Sequence, residues 1–383
     1  MNETILTWLV FILAFGGMVI IHELGHFIAA RLVKIEVDEF GIGLPTPGAI
    51  TLFTWQGTRF TLNWLPLGGF VRPKGENDPD IEGGLAAAVP WKRLFVLIAG
   101  PLMNLITAVI VFSIIINQMG GIMAVSNDNA DLQSILVTEV VPNSPAEQAG
   151  LQMGDVLVKA NGQPLNNENS LGTVVSKNAD LPVSFIVNRD GQEFELTITP
   201  RMNEQQQRPM IGIGYCSGCS FNRITTVTEN LKYSFQFTGE QIKALVTLPI
   251  RLFRGTVPPE QGRLIGMKGI FDIMGQSVAS DVEASRANAA LPASARSNPY
   301  DAPVQTLFLI ASLSISLGIF NLFPFPALDG GRIIFVIPEI LFRRRVPHQF
   351  ENLVHGFGMI LLLGVMIYIN VKDFIDPITT TFP

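Results

Sequence analysis

The chain has 383 residues and a formal net charge of −6; 48% of its residues are hydrophobic and only 15% are charged. Soluble domains carry about 25% charged residues, so this composition argues against a soluble enzyme and against a disordered chain. The acidic balance excludes the basic surface that a nucleic-acid partner requires. Two cysteines are too few for a disulfide-rich scaffold. A membrane protein with an attached soluble module is the class that remains.

Four stretches are apolar over the length of about 18 or more residues that crosses a bilayer. They comprise residues 4–21, 94–127, 304–328 and 352–371. We therefore predict a polytopic α-helical membrane protein of about four transmembrane helices, with a membrane-associated β-rich loop and an inserted α+β domain. A signal peptide is an alternative for the first stretch, but no basic segment precedes it and no small-residue cleavage site follows it.

Basic residues predict which loops face the cytoplasm. The segment between the first two stretches contains Arg31, Lys34, Arg59, Arg72, Lys74, Lys92 and Arg93. The segment between the last two contains Arg332, Arg343, Arg344 and Arg345. Both loops are expected in the cytoplasm, which places both termini and the long segment of residues 120–303 outside it. The expected location is the cell inner (plasma) membrane, with membrane lipids as a partner.

Transmembrane helix 1, expected over residues 1–33, contains His22-Glu23-Leu24-Gly25-His26, an H-E-x-x-H motif. Two histidines four residues apart project from one face of a helix, and two neutral imidazoles at that spacing suit Zn²⁺. Glu23 would lie near the open coordination position, where it can take a proton from the attacking water and pass it to the leaving amine. The alternative, a polar helix end in the headgroups, explains the polarity but not the spacing.

Residues 34–93 alternate apolar and polar positions with many glycines, which predicts short strands and tight turns on the cytoplasmic side. A plain β-hairpin loop and a sheet that dips toward the membrane and presents an edge to a substrate are equally compatible with this pattern. Transmembrane helix 2 is expected over residues 94–119.

Residues 125–220 predict a compact β-rich domain outside the cytoplasm. The run SPAEQAGLQMGDVLVKANGQPL resembles the PDZ domains of membrane and periplasmic proteases. PDZ domains add an extended peptide to a sheet edge, so the resemblance implies a peptide or a new C-terminus as a partner. Residues 211–215 either receive a peptide carboxylate or simply form the last strand.

Residues 221–277 have amphipathic spacing, which predicts helices on the outer membrane surface or ordinary connecting helices. Residues 278–303 are rich in alanine and serine, and predict a flexible linker.

Transmembrane helix 3, expected over residues 304–338, contains Asn321-Leu-Phe-Pro-Phe-Pro-Ala-Leu-Asp329-Gly-Gly. Its two prolines break the helix, and non-helical backbone at membrane depth is tolerated only inside protein or beside water. Asp329 can then turn inward as the third ligand that a zinc site needs, and Asn321 could donate a hydrogen bond to a substrate carbonyl or its oxyanion. A helix C-terminus followed by a glycine turn is the alternative. A cytoplasmic loop at residues 339–351 and transmembrane helix 4 at residues 352–373 follow.

The H-E-x-x-H motif, the N-x-x-P-x-P-x-L-D-G segment and an outward PDZ domain together resemble the site-2 proteases, most closely the RseP-like regulator-of-sigma-E branch. The resemblance extends from about residue 15 to residue 375. Supporting matches are Phe40-Gly-Ile-Gly, Gly100-Pro101-Leu-Met-Asn104 and Met267-Lys-Gly-Ile.

The resemblance implies zinc-dependent hydrolysis of peptide bonds within the membrane. His22, His26 and Asp329 would bind one Zn²⁺ ion per chain, Glu23 would be the catalytic acid/base, and Asn321 would position the substrate. The expected substrates are single-span membrane proteins, for example anti-sigma factors already cut by an upstream site-1-type protease, or signal peptides left in the membrane. The first-loop sheet would hold the substrate as an extended strand.

Some features depart from that pattern or leave alternatives open. The resemblance implies a PDZ domain that either filters substrates by size or reads new C-termini. One PDZ-like segment is present where well-known relatives of this branch have two, which puts the size-filter role in doubt. Cys216 and Cys219 are interpreted as two ordinary cysteines in a turn, with a local disulfide or a redox-sensitive pair as alternatives. His348 and His355 are expected at the surface near lipid headgroups.

Two other functions compete with proteolysis. One is a catalytically silent protein that binds transmembrane segments through the same groove and PDZ domain. The other is a transporter, but transporters tend to show two related halves, and this sequence has no such symmetry.

Overall fold

A computed structural model of the chain describes residues 3–76, 78–126, 135–141, 144–165, 170–189, 191–203, 208–217, 219–255, 263–290 and 302–376. Contacts between Cα atoms divide the chain into two compact units. The larger unit combines Met1–Gln118 with Val227–Thr380, and the smaller unit is built from Met119–Thr226. Both sequence motifs therefore belong to the larger unit.

The helices, in chain order, are α1 (Glu3–Leu32), α2 (Pro90–Gln118), α3 (Pro145–Gln148), α4 (Leu171–Lys177), α5 (Val227–Phe253), α6 (Met267–Ala290), α7 (Gln305–Leu322), α8 (Asp329–Phe342) and α9 (His348–Ile375). The strands are β1 (Val37–Leu44), β2 (Ile50–Trp55), β3 (Thr58–Leu62), β4 (Leu65–Pro73), β5 (Ile122–Ser126), β6 (Ile135–Val140), β7 (Val156–Ala160), β8 (Gln163–Pro164), β9 (Val183–Arg189), β10 (Gln192–Ile198), β11 (Arg201–Asn203), β12 (Arg208–Met210), β13 (Ile213–Ser217) and β14 (Cys219–Arg223).

Within the described residues, four helices are long and apolar enough to cross a membrane, namely α1, α2, α7 and α9. Helix α2 packs against both α1 and α7. The backbones of α2 and α7 approach closely at Gly318, where a Cβ atom would lie 2.9 Å from the carbonyl oxygen of Pro101. Small residues allow such close approach between helices in a membrane. Helix α2 is therefore the central element against which the two motif-bearing helices are placed.

The first loop forms a four-stranded sheet in the order β2-β3-β1-β4. Strand β1 is parallel to β3 and antiparallel to β4. Because β4 is the last strand in this order, it is an edge strand. The ring of Phe27 on α1 meets those of Phe40 and Phe60 edge-to-face, with centroids 5.7 Å apart in both pairs. These contacts seat the sheet on α1 just after the H-E-x-x-H motif, and they bring the β4 edge beside it.

The smaller unit is an α+β module around a sheet of order β10-β9-β7-β6-β13, with β8 paired to β7. Its core includes the fully buried side chains of Leu157, Phe185 and Val187. Helix α3 begins at a side-chain cap, since Ser144 Oγ accepts a hydrogen bond from the backbone N–H of Glu147. Burial of apolar side chains on one face of the sheet holds the module together.

A buried ion pair also holds this module. The carboxylate of Asp155 is fully buried and accepts two hydrogen bonds from Arg189, Nε to Oδ1 at 2.6 Å and Nη2 to Oδ2 at 2.7 Å. Paired, parallel hydrogen bonds of this kind suit the planar guanidinium. They tie the start of β7 to the end of β9.

Strand β13 accounts for much of residues 211–215, since Ile213 and Tyr215 pair with β6. Cys216 follows in the same strand and is disulfide-bonded. The prediction of two ordinary cysteines is therefore wrong for Cys216. Disulfides form and persist mainly in oxidising environments.

The flexible linker predicted for residues 278–303 is wrong in its first half. Residues 278–290 continue α6, because alanine is the strongest helix former and because Met274 and Val278 pack against Phe11 of α1. The rest of that predicted linker, up to residue 301, lies outside the described residues.

Two carboxylates cap helices of the larger unit from a distance in sequence. Asp281 accepts hydrogen bonds from the backbone N–H groups of Gln305 and Thr306, both at 2.9 Å, at the start of α7. Asp373 accepts from the backbone N–H of Gly266 at 2.7 Å, just before α6. A helix N-terminus leaves N–H groups unpaired and favours a negative charge, so these contacts fix where α6 and α7 begin.

Candidate metal centre

Helix α1 places His22, Glu23 and His26 next to one another, and the start of α8 adds Asp329. Nε2 of His22 lies 3.1 Å from Oδ2 of Asp329, and Nε2 of His26 lies 3.3 Å from the same oxygen. The two Nε2 atoms are 3.2 Å apart. Three ligand-type atoms thus converge within 4.8 Å, an arrangement that could hold a metal ion.

His26 is oriented by α2. Its Nδ1 lies 2.8 Å from the carbonyl oxygen of Val96, and a carbonyl oxygen can only accept, so Nδ1 carries the proton. Nε2 then keeps its lone pair for a metal. The space for this ring exists because residue 100 is glycine, since a Cβ atom there would lie 2.3 Å from Nε2 of His26.

The segment between α7 and α8 positions Asp329. Helix α7 ends at Leu322, and α8 begins at Asp329 itself, after a six-residue interruption that contains Pro324 and Pro326. The turn is tight: a Cβ atom on Gly330 would lie 2.2 Å from the carbonyl oxygen of Phe323. The non-helical backbone expected at the two prolines therefore directs the carboxylate toward α1.

His355 of α9 stabilises this turn. Ala327 has a φ of 77°, a conformation that L-residues disfavour by about 1–3 kcal/mol. Its backbone N–H donates to Nδ1 of His355 at 2.9 Å. His355 was expected at the headgroup surface, but it is partly buried against the turn two residues before Asp329.

Glu23 is anchored by the first-loop sheet. Its Oε2 accepts a hydrogen bond from the backbone N–H of Val71, on β4, at 2.9 Å. That N–H points away from β1 and toward α1, so the edge strand and the carboxylate are held in a fixed relation. Sequence patterns predicted the strands but not this contact.

The three ligand-type residues and Glu23 line a cavity of about 270 Å³, which Phe70 and Asn321 also border. Nδ2 of Asn321 donates to the carbonyl oxygen of Leu317, one turn earlier on α7, at 3.0 Å. The side chain that was predicted to contact substrate thus lies at the cavity but is bonded to its own helix.

An ion pair lies at the same cavity. Nη1 of Arg332 on α8 donates to Oε1 of Glu76, which follows β4, at 2.6 Å. Arg332 was predicted only as a cytoplasmic-loop residue. The pair joins the segment that carries Asp329 to the sheet that contacts Glu23.

Several site contacts were missed by sequence reasoning. They come from the main chain of Val71 and Val96, from the empty space at Gly100, and from the side chains of Asn104 and His355. Gly100 and Asn104 are four residues apart, as are the two histidines. This matching spacing was the sequence signal from which the contacts of α2 with the histidines could have been predicted. Main-chain donors leave no signal in a sequence.

Two imidazoles and a carboxylate beside a glutamate form a group that could hold a metal ion, in a chain whose described residues include four helices long and apolar enough to cross a membrane. The sequence of this chain matches the family model for Peptidase family M50 over residues 10–365. The protein named "Putative zinc metalloprotease CPE1693" of Clostridium perfringens is 31% identical to this chain, over 96% of this chain and 98% of its own length. "Metalloprotease MmpA" of Caulobacter vibrioides is 30% identical, over 93% and 92%. The chain belongs to Peptidase family M50, the site-2 protease family of membrane metallopeptidases.

Proposed function

We propose that this chain is a zinc-dependent endopeptidase that cuts peptide bonds in the transmembrane segments of single-span membrane proteins. The observation that carries the proposal is the convergence of His22, His26 and Asp329 beside Glu23. The relatives named as zinc metalloproteases along nearly the whole chain support the choice of metal.

The donor set fits zinc. Ligand atoms about 2.0–2.1 Å from a tetrahedral ion lie roughly 3.3 Å from one another. The three pairwise distances are 3.1, 3.2 and 3.3 Å. Three protein ligands leave the fourth position for water or substrate, as in catalytic zinc sites. When bound, Zn²⁺ supplies a Lewis acid that polarises a carbonyl oxygen and lowers the pKa of water toward about 7.

In this scheme Glu23 is the proton carrier. Its Oε2 is occupied by the Val71 N–H, which leaves Oε1 to take a proton from the attacking water and deliver it to the leaving amine. Asn321 keeps a second amide hydrogen beyond the one that it donates to Leu317. That hydrogen can be donated to the substrate carbonyl oxygen, where negative charge develops.

The substrate is proposed to bind as an extended strand along β4. A transmembrane helix hides its peptide bonds, and an edge strand offers unpaired N–H and C=O groups that an extended chain can use. Since Val71 both lies on this edge and contacts Glu23, a strand added there would bring its backbone to the catalytic carboxylate.

The smaller unit is proposed to act as a PDZ domain outside the cytoplasm, in an inner membrane. Its sheet and two helices are compatible with the PDZ-like sequence run, and the Cys216 disulfide suits an oxidising compartment. The basic loops favour an active site toward the cytoplasmic side. The proposed substrates include anti-sigma factors first cut by a site-1-type protease, whose new C-terminus the domain would bind, or residual signal peptides.

The test is cleavage of a single-span reporter with a shortened outer domain, in membranes that contain either the native chain or Glu23→Gln. This change keeps the size of the side chain and removes the proton acceptor. We expect cleavage by the native chain and none by the variant at equal protein levels. His22→Ala should lose both cleavage and zinc, whereas Glu23→Gln should keep zinc.

Two results would count against the proposal. Equal cleavage by both chains would remove Glu23 from its role. Zinc binding and reporter capture without turnover, over a panel of single-span reporters, would favour the catalytically silent binder.

A further inference from the structure

Helix α2 supports both histidines of α1 at positions that repeat every four residues. The carbonyl of Val96 and the space at Gly100 serve His26, as described above, and one turn further on Asn104 meets His22. The side-chain amide of Asn104 lies 3.1 Å from Nδ1 of His22. His26 therefore has an identified acceptor for its Nδ1 proton, and Asn104 is the residue in the corresponding place for His22.

Asn104 is fully buried, with no exposed surface. As placed, its Nδ2 faces His22, and among the described residues its Oδ1 has no hydrogen-bond partner. A buried amide oxygen without a partner costs about 1–3 kcal/mol. Rotation of the amide group by 180° exchanges the two atoms and moves nothing else.

The two orientations have different consequences for the metal ligand. If Nδ2 donates to Nδ1 of His22, the imidazole proton must be on Nε2, the atom that faces Asp329 and His26. If Oδ1 faces Nδ1 instead, the amide oxygen accepts the Nδ1 proton, and Nε2 presents a lone pair. In the second orientation Oδ1 gains a donor and Nδ2 takes the position that has no partner, so the lone pair that a metal requires on Nε2 decides between the two orientations.

We propose that the side-chain oxygen of Asn104 accepts a hydrogen bond from Nδ1–H of His22 and so holds Nε2 of His22 ready for the metal. Asn104 is then a positioning residue for the metal centre. The inference rests on the proposed function in one respect, that the ion at this site is bound through His22. Ser314 of α7 contacts the backbone of the same residue but not its side chain, since its Oγ donates to the carbonyl oxygen of Asn104 at 2.8 Å.

The experiment measures Zn²⁺ affinity of the full chain in detergent, by competition with a chromophoric chelator. Asn104→Leu removes the acceptor and keeps the approximate volume, whereas Asn104→Asp keeps an oxygen acceptor and removes the donor. Ser314→Ala is the matched control, because it changes a neighbouring hydrogen bond without touching the histidine. Loss of an acceptor behind a metal-bound histidine weakens binding about 10- to 100-fold.

We expect that weakening for Asn104→Leu, and an affinity within about threefold of the native chain for Asn104→Asp and Ser314→Ala. Native affinity in Asn104→Leu would overturn the inference. So would equal weakening in the Leu and Asp variants, because it would mean that Nδ2 donates. If Asn104→Leu fails to fold, as judged by thermal unfolding without metal, Asn104→Ala is used in its place, because it removes the same acceptor.

The two proposals fail in different ways. A native chain that binds no Zn²⁺, or that keeps its affinity in His22→Ala, would overturn the zinc site itself. A native chain that binds Zn²⁺ through His22 while Asn104→Leu has no effect would overturn only the role of Asn104.

Discussion

The imidazole of His26 fills the space that a side chain on residue 100 would need: a Cβ atom at Gly100 would lie 2.3 Å from Nε2 of His26, the atom that faces Asp329. Glycine is therefore required here by the imidazole of a neighbouring helix and not by its own backbone conformation. Residues 97–103 all remain helical around it.

Gly100→Ala should disable the site without unfolding the bundle. Because the methyl group pushes the ring away, Nε2 must move by a distance on the order of 1 Å, and misplacement of that size costs roughly 100-fold in rate. Zinc content and reporter cleavage should both fall. Gly17→Ala on α1 is the control, because a Cβ atom there meets nothing within 4 Å. Native zinc content in Gly100→Ala would show that the site tolerates the methyl group.

Val71→Pro should lower cleavage and leave zinc in place. Proline has no N–H, so Glu23 loses its hydrogen bond from β4, and an edge strand tolerates proline where its N–H points away from the partner strand. A hydrogen bond to a charged group contributes about 1.5–3 kcal/mol, which corresponds to about 10- to 100-fold in rate.

Val71→Ala keeps the N–H and is the matched control for this change. Measurement of both zinc content and cleavage separates anchoring of Glu23 from metal binding. Equal cleavage by the proline and alanine variants would mean that this hydrogen bond does not serve the reaction.

Asp281→Ala should destabilise α7. The carboxylate caps two backbone N–H groups at the start of that helix, and loss of a cap costs about 1 kcal/mol of unfolding free energy. Thermal unfolding in detergent measures the change. Glu283→Ala is the control, because Glu283 is exposed and lies on α6, the helix that carries Asp281; it should leave the transition unchanged. A similar loss in both variants would point to a change in α6 itself rather than to loss of the cap.

Arg189→Met should loosen the smaller unit. It leaves the fully buried carboxylate of Asp155 without its guanidinium, and breaking a buried pair in this way costs about 3 kcal/mol or more. Limited proteolysis of the full chain should then cut faster within residues 119–226. Lys159→Met, an exposed change on β7, serves as the comparison; equal rates in the two variants would contradict the prediction.

The sequence allowed prediction of the ligand-type residues because local geometry determines them. Four-residue spacing places His22 and His26 on one helix face, and the two prolines interrupt the helix before Asp329.

Contacts that depend on tertiary packing could not be predicted in this way. The N–H of Val71 reaches Glu23 only because the register of β4 against β1 directs it outward. For residues 278–290, alanine is compatible with both a linker and a helix, and burial of Met274 and Val278 decided between them. His355 was misplaced for the same reason, since its partner is a main-chain group 28 residues away.

The residues that meet at the candidate metal centre are far apart in the chain, since Asp329 follows His22 by 307 positions. At about 5–20 residues per second, the ribosome needs roughly 15–60 s to add that stretch. A nascent chain therefore carries its two histidines and its glutamate into the membrane well before the carboxylate exists. Proteolytic capacity would arise only late in biosynthesis, once the last helices have been inserted, so incomplete copies would be harmless to the membrane proteins around them.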